Sequence, residues 1–431
     1  MNDVTRYKDF CQFRNAVRGS ESHMIVGIDV AKDKHRAFFG TPRGKTLWRR
    51  MIFTNDITGY RRLMEQTDVL LSQNQLKHAV FGLEPTGNYH KPLAHWLIQK
   101  GCEVVLVGGK AVKDNRQLLD NRWDKNDTKD SANVADLVGQ GKCQFYEYPE
   151  AHFLELRNLL SLRRRLKKEE HSLRMRIRNS LLAKYFPEMD RHLASCLEEN
   201  LAIVRWYLDP RKIAETEFSD FVKHVTRKDR GIRQIQRLRA IQEAAKDSVG
   251  MPVDAAALFE GKMLVERLNQ AREQIAETMK RIETVCNSLS GYSLLMTIPG
   301  FGPYISALVL ATLGQPFRFQ NQDQVLRLAG LDLNANRSGK TSNESVPVIS
   351  KRGDADLRYG LYQAALIASY HNEGFRRLSN RMLEGRIGER GIRTKMRVKL
   401  SAKLLIIAWT MLKNSEPFDA ARLGSGPENQ R

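Results

Sequence analysis

Four acids in this chain stand where a metal-dependent phosphodiester chemistry would need them. Asp29 closes the apolar run MIVGIDV (Met24–Val30) within GIDVAKDKH, and Glu84 closes HAVFGLE (His78–Glu84) within GLEPTGNY. If both runs are adjacent parallel strands ending at one sheet edge, the two carboxylates lie side by side. The segment DTKDSANVADL then supplies Asp127 and Asp130, whose spacing puts them on one helical face. Carboxylates gathered at an edge repel one another unless cations neutralise them. Hard oxygen ligands with open water positions suit Mg²⁺, or Mn²⁺ in its place. Two such ions would stabilise both the attacking and the leaving oxygen of a phosphodiester displacement. Each acid alone is commonplace, an Asp at a strand end being ordinarily a turn or cap residue, so order and spacing carry the reading. Asp33, Asp124 and Asp136 lie nearby and read as surface or capping residues.

A second constellation lies in LAGLDLNANRSGKTSNESVPVISKRGDADLRYGLYQAA, where Ser338 stands between Arg337 and Gly339 with Lys340 following. A serine hydroxyl is a weak nucleophile that needs a base or metal, and cations to stabilise charge on the phosphate under attack. A loop serine beside glycine is equally a turn residue, and Ser342, Ser345 and Ser350 share the stretch. Ser350, Lys351, Arg352, Gly353 and Arg358 form a further basic cluster. From Arg376 to Lys403 the chain carries Arg386, Arg390, Arg393, Lys395, Arg397 and Lys399, suited to tracking a phosphate backbone or forming a solvated helix face. Arg163, Arg164, Arg165, Lys167 and Lys168 read the same way.

The whole-chain charge agrees. Lys and Arg number 70 against 49 Asp and Glu over 431 residues, a formal +21. Such a field attracts polyanions, and phosphate contacts dominate nucleic-acid affinity. A merely soluble basic surface and anionic lipid are the alternatives. No run approaches the ~20 apolar residues of a membrane span, and the N-terminus carries no export signal. The five cysteines are scattered (Cys11, Cys102, Cys143, Cys196, Cys286), which fits neither a disulfide framework nor a zinc site. Free thiols in a reducing cytoplasm are expected.

The elements that must position these groups follow from patterning. Residues 1–23 read as a polar, loosely held extension. Over 24–145 an α/β unit is predicted: MIVGIDV, RAFFG and TLWRRMIF as strands, a helix from Thr58 to Ser72, the strand HAVFGLE, then helix, the strand EVVLVG and further helices. Residues 150–290 form a helical region. In it Leu156, Leu159, Leu166, Leu173, Ile177 and Leu181 make one seam, and Leu264, Leu268, Ala271, Ile275, Met279, Ile282 and Leu289 another. These read as an antiparallel coiled coil, a dimer seam, or helices packed on a globular core. The interior, 187–260, is helical and irregular with no function assigned. Residues 291–415 form a mainly α unit opening with TIPGFGPYISALVLATLG. Its G-F-G turn reads as a helix-hairpin-helix-like element whose amides hold a phosphate, or as a tight loop between core helices. The unit ends in a helix over Leu400–Lys413, and 416–431 is a polar tail.

GIDVAKDKH, E-P-T-G-N-Y and N-D-T-K-D-S-A in this order resemble the DEDD set of RuvC-like nucleases. Closer still is the insertion-sequence family one-ten of DEDD transposases, which includes the Piv-type DNA invertases. A-G-L, S-G and S-K-R-G-x-x-x-L-R resemble that family's second domain. The resemblance implies an RNase H-like (RuvC-type) N-terminal domain with Asp29, Glu84, Asp127 and Asp130 as metal ligands. It singles out Ser338 as the residue that becomes linked to DNA. By charge and position Arg337, Lys340, Lys351, Arg352, Arg393, Lys395 and Arg397 are the expected nucleic-acid contacts. The resemblance further implies excision and insertion of a mobile element by a homo-oligomer, dimer or tetramer, with a structured non-coding RNA as partner. A Piv-type invertase, a Holliday-junction-resolvase-like nuclease and a non-catalytic nucleic-acid-binding protein are the competing readings.

Overall fold

The computed structural model of the chain describes residues 11–120, 127–146, 150–195, 198–226, 231–334 and 348–423. It divides into two compact units, Met1–Glu150 with Phe317–Gln320, and Ala151–Pro316 with Asn321–Arg431.

The first unit is built on a mixed sheet of β1 (His23–Asp29), β2 (Lys34–Gly40), β3 (Thr46–Thr54), β4 (His78–Leu83), β5 (Glu103–Leu106) and β6 (Gln144–Phe145), ordered β3-β2-β1-β4-β5-β6. β1, β4 and β5 run parallel; β2, β3 and β6 are antiparallel to their neighbours. A parallel pair needs a crossover. α2 (Ile57–Gln73) lies on the path to β4, and α3 (His90–Gln99) joins β4 to β5. Met24 to Ile28 are buried without a break, because β1 is central and covered on both faces. Met24, Val26 and Ile28 join a core with Leu63 and Leu93; Ile25 joins one with Val80, Val105, Val134 and Val138. This mixed α/β arrangement fits a DEDD or RuvC-like domain.

The N-terminal extension is not wholly loose. Residues 11–17 form a helix, α1. Phe13 and Val17, one turn apart, give it an apolar face: the Phe13 ring lies 5.0 Å from that of Phe145, and Val17 is buried in the second core.

In the second unit α6 (Ala151–Arg176) runs through a π-helical turn (Ile177–Leu182) into α7 (Ala183–Tyr185). The 3₁₀ segment Pro187–Ser195 and α8 (Glu198–Trp206), α9 (Pro210–Glu215), α10 (Phe218–Val225) and α11 (Ile232–Lys246) follow. They gather around Phe186, Leu208, Phe221 and Ile241, giving the interior segment its own core. α12 (Ala255–Asn287) returns antiparallel along α6, with ion pairs Arg267–Glu169 and Arg272–Glu170 between them. Leu264, Leu268, Ile275 and Ile282 are all buried inside this one chain. These four positions are therefore covered within the chain, while Met279 and Leu289 of the same seam are partly exposed.

The remaining helices are α13 (Tyr292–Met296), α14 (Pro303–Leu313), α15 (Gln322–Ala329), α16 (Ala355–His371), α17 (Glu373–Leu383) and α18 (Ile392–Asn414), with a ribbon of β7 (Leu333–Asn334) and β8 (Val348–Ile349). In the G-F-G turn, Gly300 has φ +89°, and a Cβ there would lie 2.3 Å from the Ala364 carbonyl oxygen. Backbone packing, not only chain reversal, thus requires glycine. The first part of the polar tail is packed: the Phe418 ring stacks on Phe375 at 5.7 Å, and its N–H donates to Thr297. Among the described residues no helix is long and apolar enough to cross a membrane, and Cys11, Cys102, Cys143 and Cys286 are free.

Candidate active site

β1 and β4 are paired in register up to Ile28 opposite Leu83, so the next positions, Asp29 and Glu84, stand side by side at the same sheet edge. Both are partly exposed. The loop after Asp29 is held by His35, fully buried, whose Nδ1 accepts the Ala31 N–H at 3.2 Å. Burial pulls the His35 pKa below the usual imidazole value, with Asn55 partly opposing. Beyond Glu84 the chain turns tightly: Thr86 N–H donates back to the Glu84 carbonyl at 2.8 Å, and Gly87 has φ +54°.

α4 (Gly109–Asp120) and α5 (Asp127–Gly139) complete the arrangement. α5 lies directly on the strands that carry the two acids. A Cβ on Gly27 would stand 2.2 Å from the Ser131 carbonyl oxygen, and one on Gly82 would stand 2.6 Å from Val138 Cγ2. Alternation along a strand puts Gly27 and Asp29 on one face, and likewise Gly82 and Glu84. Gly139 lies by Ile25, and Ser131 and Ala135 by Gly27, so α5 runs antiparallel to β1. Its first turn, carrying Asp127 and Asp130, accordingly lies toward the Asp29 end. A Cβ on Gly109, where α4 begins, would meet Glu84 Oε1 at 3.0 Å.

The two helices are locked by polar side chains. Asn115 donates to Asn133 (2.6 Å) and to Asp136 (2.9 Å), and Asn133 donates to the Val112 carbonyl at 2.7 Å. Asp136 is thus a packing residue, and Asp33 is exposed in the β1–β2 turn; Asp124 lies outside the described residues. Asp130 is buried and meets Arg116 of α4, Nη2 to Oδ1, at 2.6 Å. That contact is close in distance yet lacks hydrogen-bond alignment, leaving Asp130 Oδ1 without a hydrogen bond. We read it as an ion pair. Asp127 is the first residue of α5. Among the described residues no three His, Cys, Asp or Glu groups already form a metal cage. The donor chemistry nevertheless fits a hard divalent cation: Asp29 and Glu84 offer adjoining carboxylates, and Asp130 carries an oxygen in want of a partner that Arg116 supplies only in part. Arg116 is the residue that sequence reasoning missed; no motif marks it.

Ser338, Arg337 and Lys340 lie outside the described residues; the residues that flank them are described. β7 and β8 pair Leu333 with Ile349 and Asn334 with Val348. Below them Gly330 (φ +64°) and Gly353 meet backbone to backbone, a Cβ on Gly353 falling 2.2 Å from Gly330 N. Lys351 N–H donates to the Gly330 carbonyl at 3.0 Å, Asp354 N–H to Leu328 at 2.7 Å, and Arg358 Nη1 to Ala329 at 2.8 Å. A-G-L, S-K-R-G and L-R are therefore one knot at the foot of the β7–β8 ribbon. Ser350 Oγ donates to Asp332 Oδ1. Lys351 adopts φ +55°, a conformation costly for a side-chain-bearing residue, and Lys351 and Arg352 are exposed beside the loop. Arg393 and Lys395 are exposed on α18 and Arg397 partly so.

Residues 26–187 match the family model of DEDD transposases of the IS110 type, and residues 292–380 match that of the IS116/IS110/IS902 transposase family. The chain belongs to this transposase family. Over nearly their whole lengths it is similar to the pilin gene-inverting protein of Moraxella lacunata, at 24% identity over 404 residues covering 92% of this chain and 98% of that one. It is also similar to the transposase for insertion sequence element IS1111A of Coxiella burnetii, at 23% over 410 residues and 94% of each chain. An uncharacterized protein of insertion element IS116 from Streptomyces clavuligerus matches at 23% over 401 residues, 92% of this chain and 96% of that one.

Proposed function

We propose that this DNA transposase or recombinase cleaves and rejoins strands with Asp29, Glu84, Asp127 and Asp130 as the carboxylate site and Ser338 as the nucleophile. The observation that carries the reading is the shared edge of β1 and β4, which sets Asp29 beside Glu84 under the acid-bearing turn of α5. Mg²⁺ or Mn²⁺ held there supplies Lewis-acid stabilisation of charge on a phosphodiester. Asp29, Glu84 and Asp127 would hold that ion, and Asp130 would join them once Arg116 releases it. Ser338 Oγ then forms a bond to phosphorus while one ester P–O bond breaks, the hydroxyl proton passing to the departing oxygen. The phosphoserine conserves the ester's energy, so rejoining to a new strand needs no external source. Arg337 and Lys340 neutralise the phosphate, and Lys351 and Arg352 guide the strand to the loop.

The formal +21 charge suits a large nucleic-acid surface, including Arg393, Lys395 and Arg397, and a structured RNA partner besides DNA. The Gly302 end of α14 presents first-turn amides to a further phosphate. A homo-oligomer would use a surface other than the α6–α12 seam. Inversion is the second reading, favoured by the pilin gene-inverting relatives; the chemistry is the same and the arrangement of the DNA sites decides the outcome. The test is denaturation during the reaction with element-end DNA. Wild type carries DNA covalently at Ser338, Ser338→Ala does not, and Asp29→Asn and Glu84→Gln bind DNA without cleaving it. Full cleavage by Asp29→Asn, or an adduct surviving in Ser338→Ala, overturns the assignment.

A further inference from the structure

α16 begins just past the Gly330–Gly353 contact at the foot of the β7–β8 ribbon. Its outward face carries Tyr359, Ile367 and Tyr370, which are 65%, 45% and 60% exposed. Tyr359 follows Arg358, the residue that ties α16 to Ala329. Eleven residues separate Tyr359 from Tyr370, about three turns, so both rings stand on nearly the same line roughly 16 Å apart. Exposed tyrosines so placed are not explained by the core of this unit.

α18 lies alongside and is basic. Arg397 extends between the rings of α16, donating from Nη1 to the Tyr362 hydroxyl and from Nη2 to the Tyr370 hydroxyl, each at 3.4 Å. Those bonds set the guanidinium against the hydroxyl ends of two rings of α16. α18 carries no carboxylate, while Arg393, Lys395 and Lys399 are exposed on it. The acid near the start of α16, Asp356, is engaged by Arg164 at 2.7 Å. Aromatic rings flanked by cations are the combination that single strands require, bases stacking on the rings and phosphates meeting the charges. Duplex DNA buries its base faces and cannot use the tyrosines.

We infer that the Tyr359–Tyr370 face of α16, with Arg397, is a track for single-stranded DNA, holding the strand that leaves the Ser338 loop during cleavage and rejoining. The inference rests on the proposed strand-transfer reading and adds where the unpaired strand lies. The track begins one residue past Arg358, which ties the start of α16 to Ala329.

The test compares a fluorescent thymidine oligonucleotide, a DNA duplex and a hairpin RNA bound to the full chain at 0.15 M salt (about the physiological value). Tyr359→Ala/Tyr370→Ala is expected to weaken the single strand by about tenfold or more and leave the duplex unchanged. Tyr359→Phe/Tyr370→Phe should keep most of the affinity, because rings rather than hydroxyls do the stacking. Equal losses on strand and duplex, or no loss, overturn the track. A loss confined to the hairpin RNA assigns the face to RNA and likewise overturns it. Failure of wild type to bind any nucleic acid refutes instead the underlying transposase reading. Circular dichroism of each variant verifies the fold.

Discussion

Arg116 of α4 and Asp130 of α5 are joined by a 2.6 Å ion pair in which the Asp130 side chain is 3% exposed and Arg116 21%. A guanidinium thus occupies the charge of one proposed metal ligand. Neutralising a buried carboxylate is obligatory, so cation and metal compete for Asp130. Arg116→Ala should lower the stability of the metal-free protein by about 2–3 kcal/mol, below the full cost of breaking a buried pair because Arg116 is partly solvated. The same variant should show a larger Mn²⁺-induced rise in melting temperature than wild type. Equal Mn²⁺ shifts in the two proteins would remove Asp130 from the metal site.

The closeness of α5 to β1 sets where its acids lie. Gly27→Ala would bring a methyl to 2.2 Å from the Ser131 carbonyl, a backbone atom that cannot turn aside. The helix must then shift. We expect strand cleavage to fall at least a hundredfold, consistent with the cost of about 1 Å of misplacement, while nucleic-acid binding through distant basic residues is kept. Cleavage at wild-type rate would show that the docking of α5 does not position the chemistry.

The knot below the serine loop makes a separable prediction. In Gly353→Ala the new Cβ meets Gly330 N at 2.2 Å and the Leu328 carbonyl at 2.5 Å. Covalent DNA adduct should be lost, with Mn²⁺ binding at the carboxylate edge untouched. Ser350→Ala removes only the hydroxyl that donates to Asp332, so adduct formation should persist at reduced rate. An adduct that survives in Ser338→Ala and is lost in Ser350→Ala would make Ser350 the nucleophile.

His35 gives a pH dependence whose sign is fixed. Burial lowers its pKa from 6.5, so below that value the unfolded chain takes up a proton that the native one resists. Its contribution is complete above about pH 6.5 and is lost as pH falls through the folded value. The Ala31 N–H bond to Nδ1 is made by the neutral ring. His35→Phe should flatten the fall in denaturant stability between pH 7 and 5, but only in part, since burial also lowers His23, His90 and His192. An unchanged slope would refute the assignment.

What could be read beforehand follows from the physics of each signal. Asp29 and Glu84 were legible because each ends an unbroken apolar run, and central parallel strands need such runs on both faces. α1 was not: Phe13 and Val17 are too few for a periodic signal in a polar stretch. Arg116 was invisible because its partner is decided by how α4 and α5 dock, which no local spacing encodes. Gly27 and Gly82 read as ordinary strand residues until the helix above them is known. The knot's pieces, Gly330, Gly353 and Arg358, lie apart in sequence, and only the fold reveals their common purpose.

The long-helix seam shows the same limit, and it carries the last prediction. Its repeat marks a buried stripe without naming what covers it, and in the structure α6 of the same chain does so. Leu268 is fully buried there, whereas Met279, on the same repeat, is partly exposed. If the stripe is core, truncation weakens folding and not assembly. Leu268→Ala should cost about 2–5 kcal/mol in denaturant unfolding, at a midpoint independent of protein concentration if the step is unimolecular. The molar mass by light scattering should match wild type wherever both are folded. A stripe covered by a second copy would behave otherwise: Leu268→Ala would lower the molar mass, and the midpoint would rise with concentration. That outcome would place α12 at a subunit interface and require α6 to separate from it when the protein assembles.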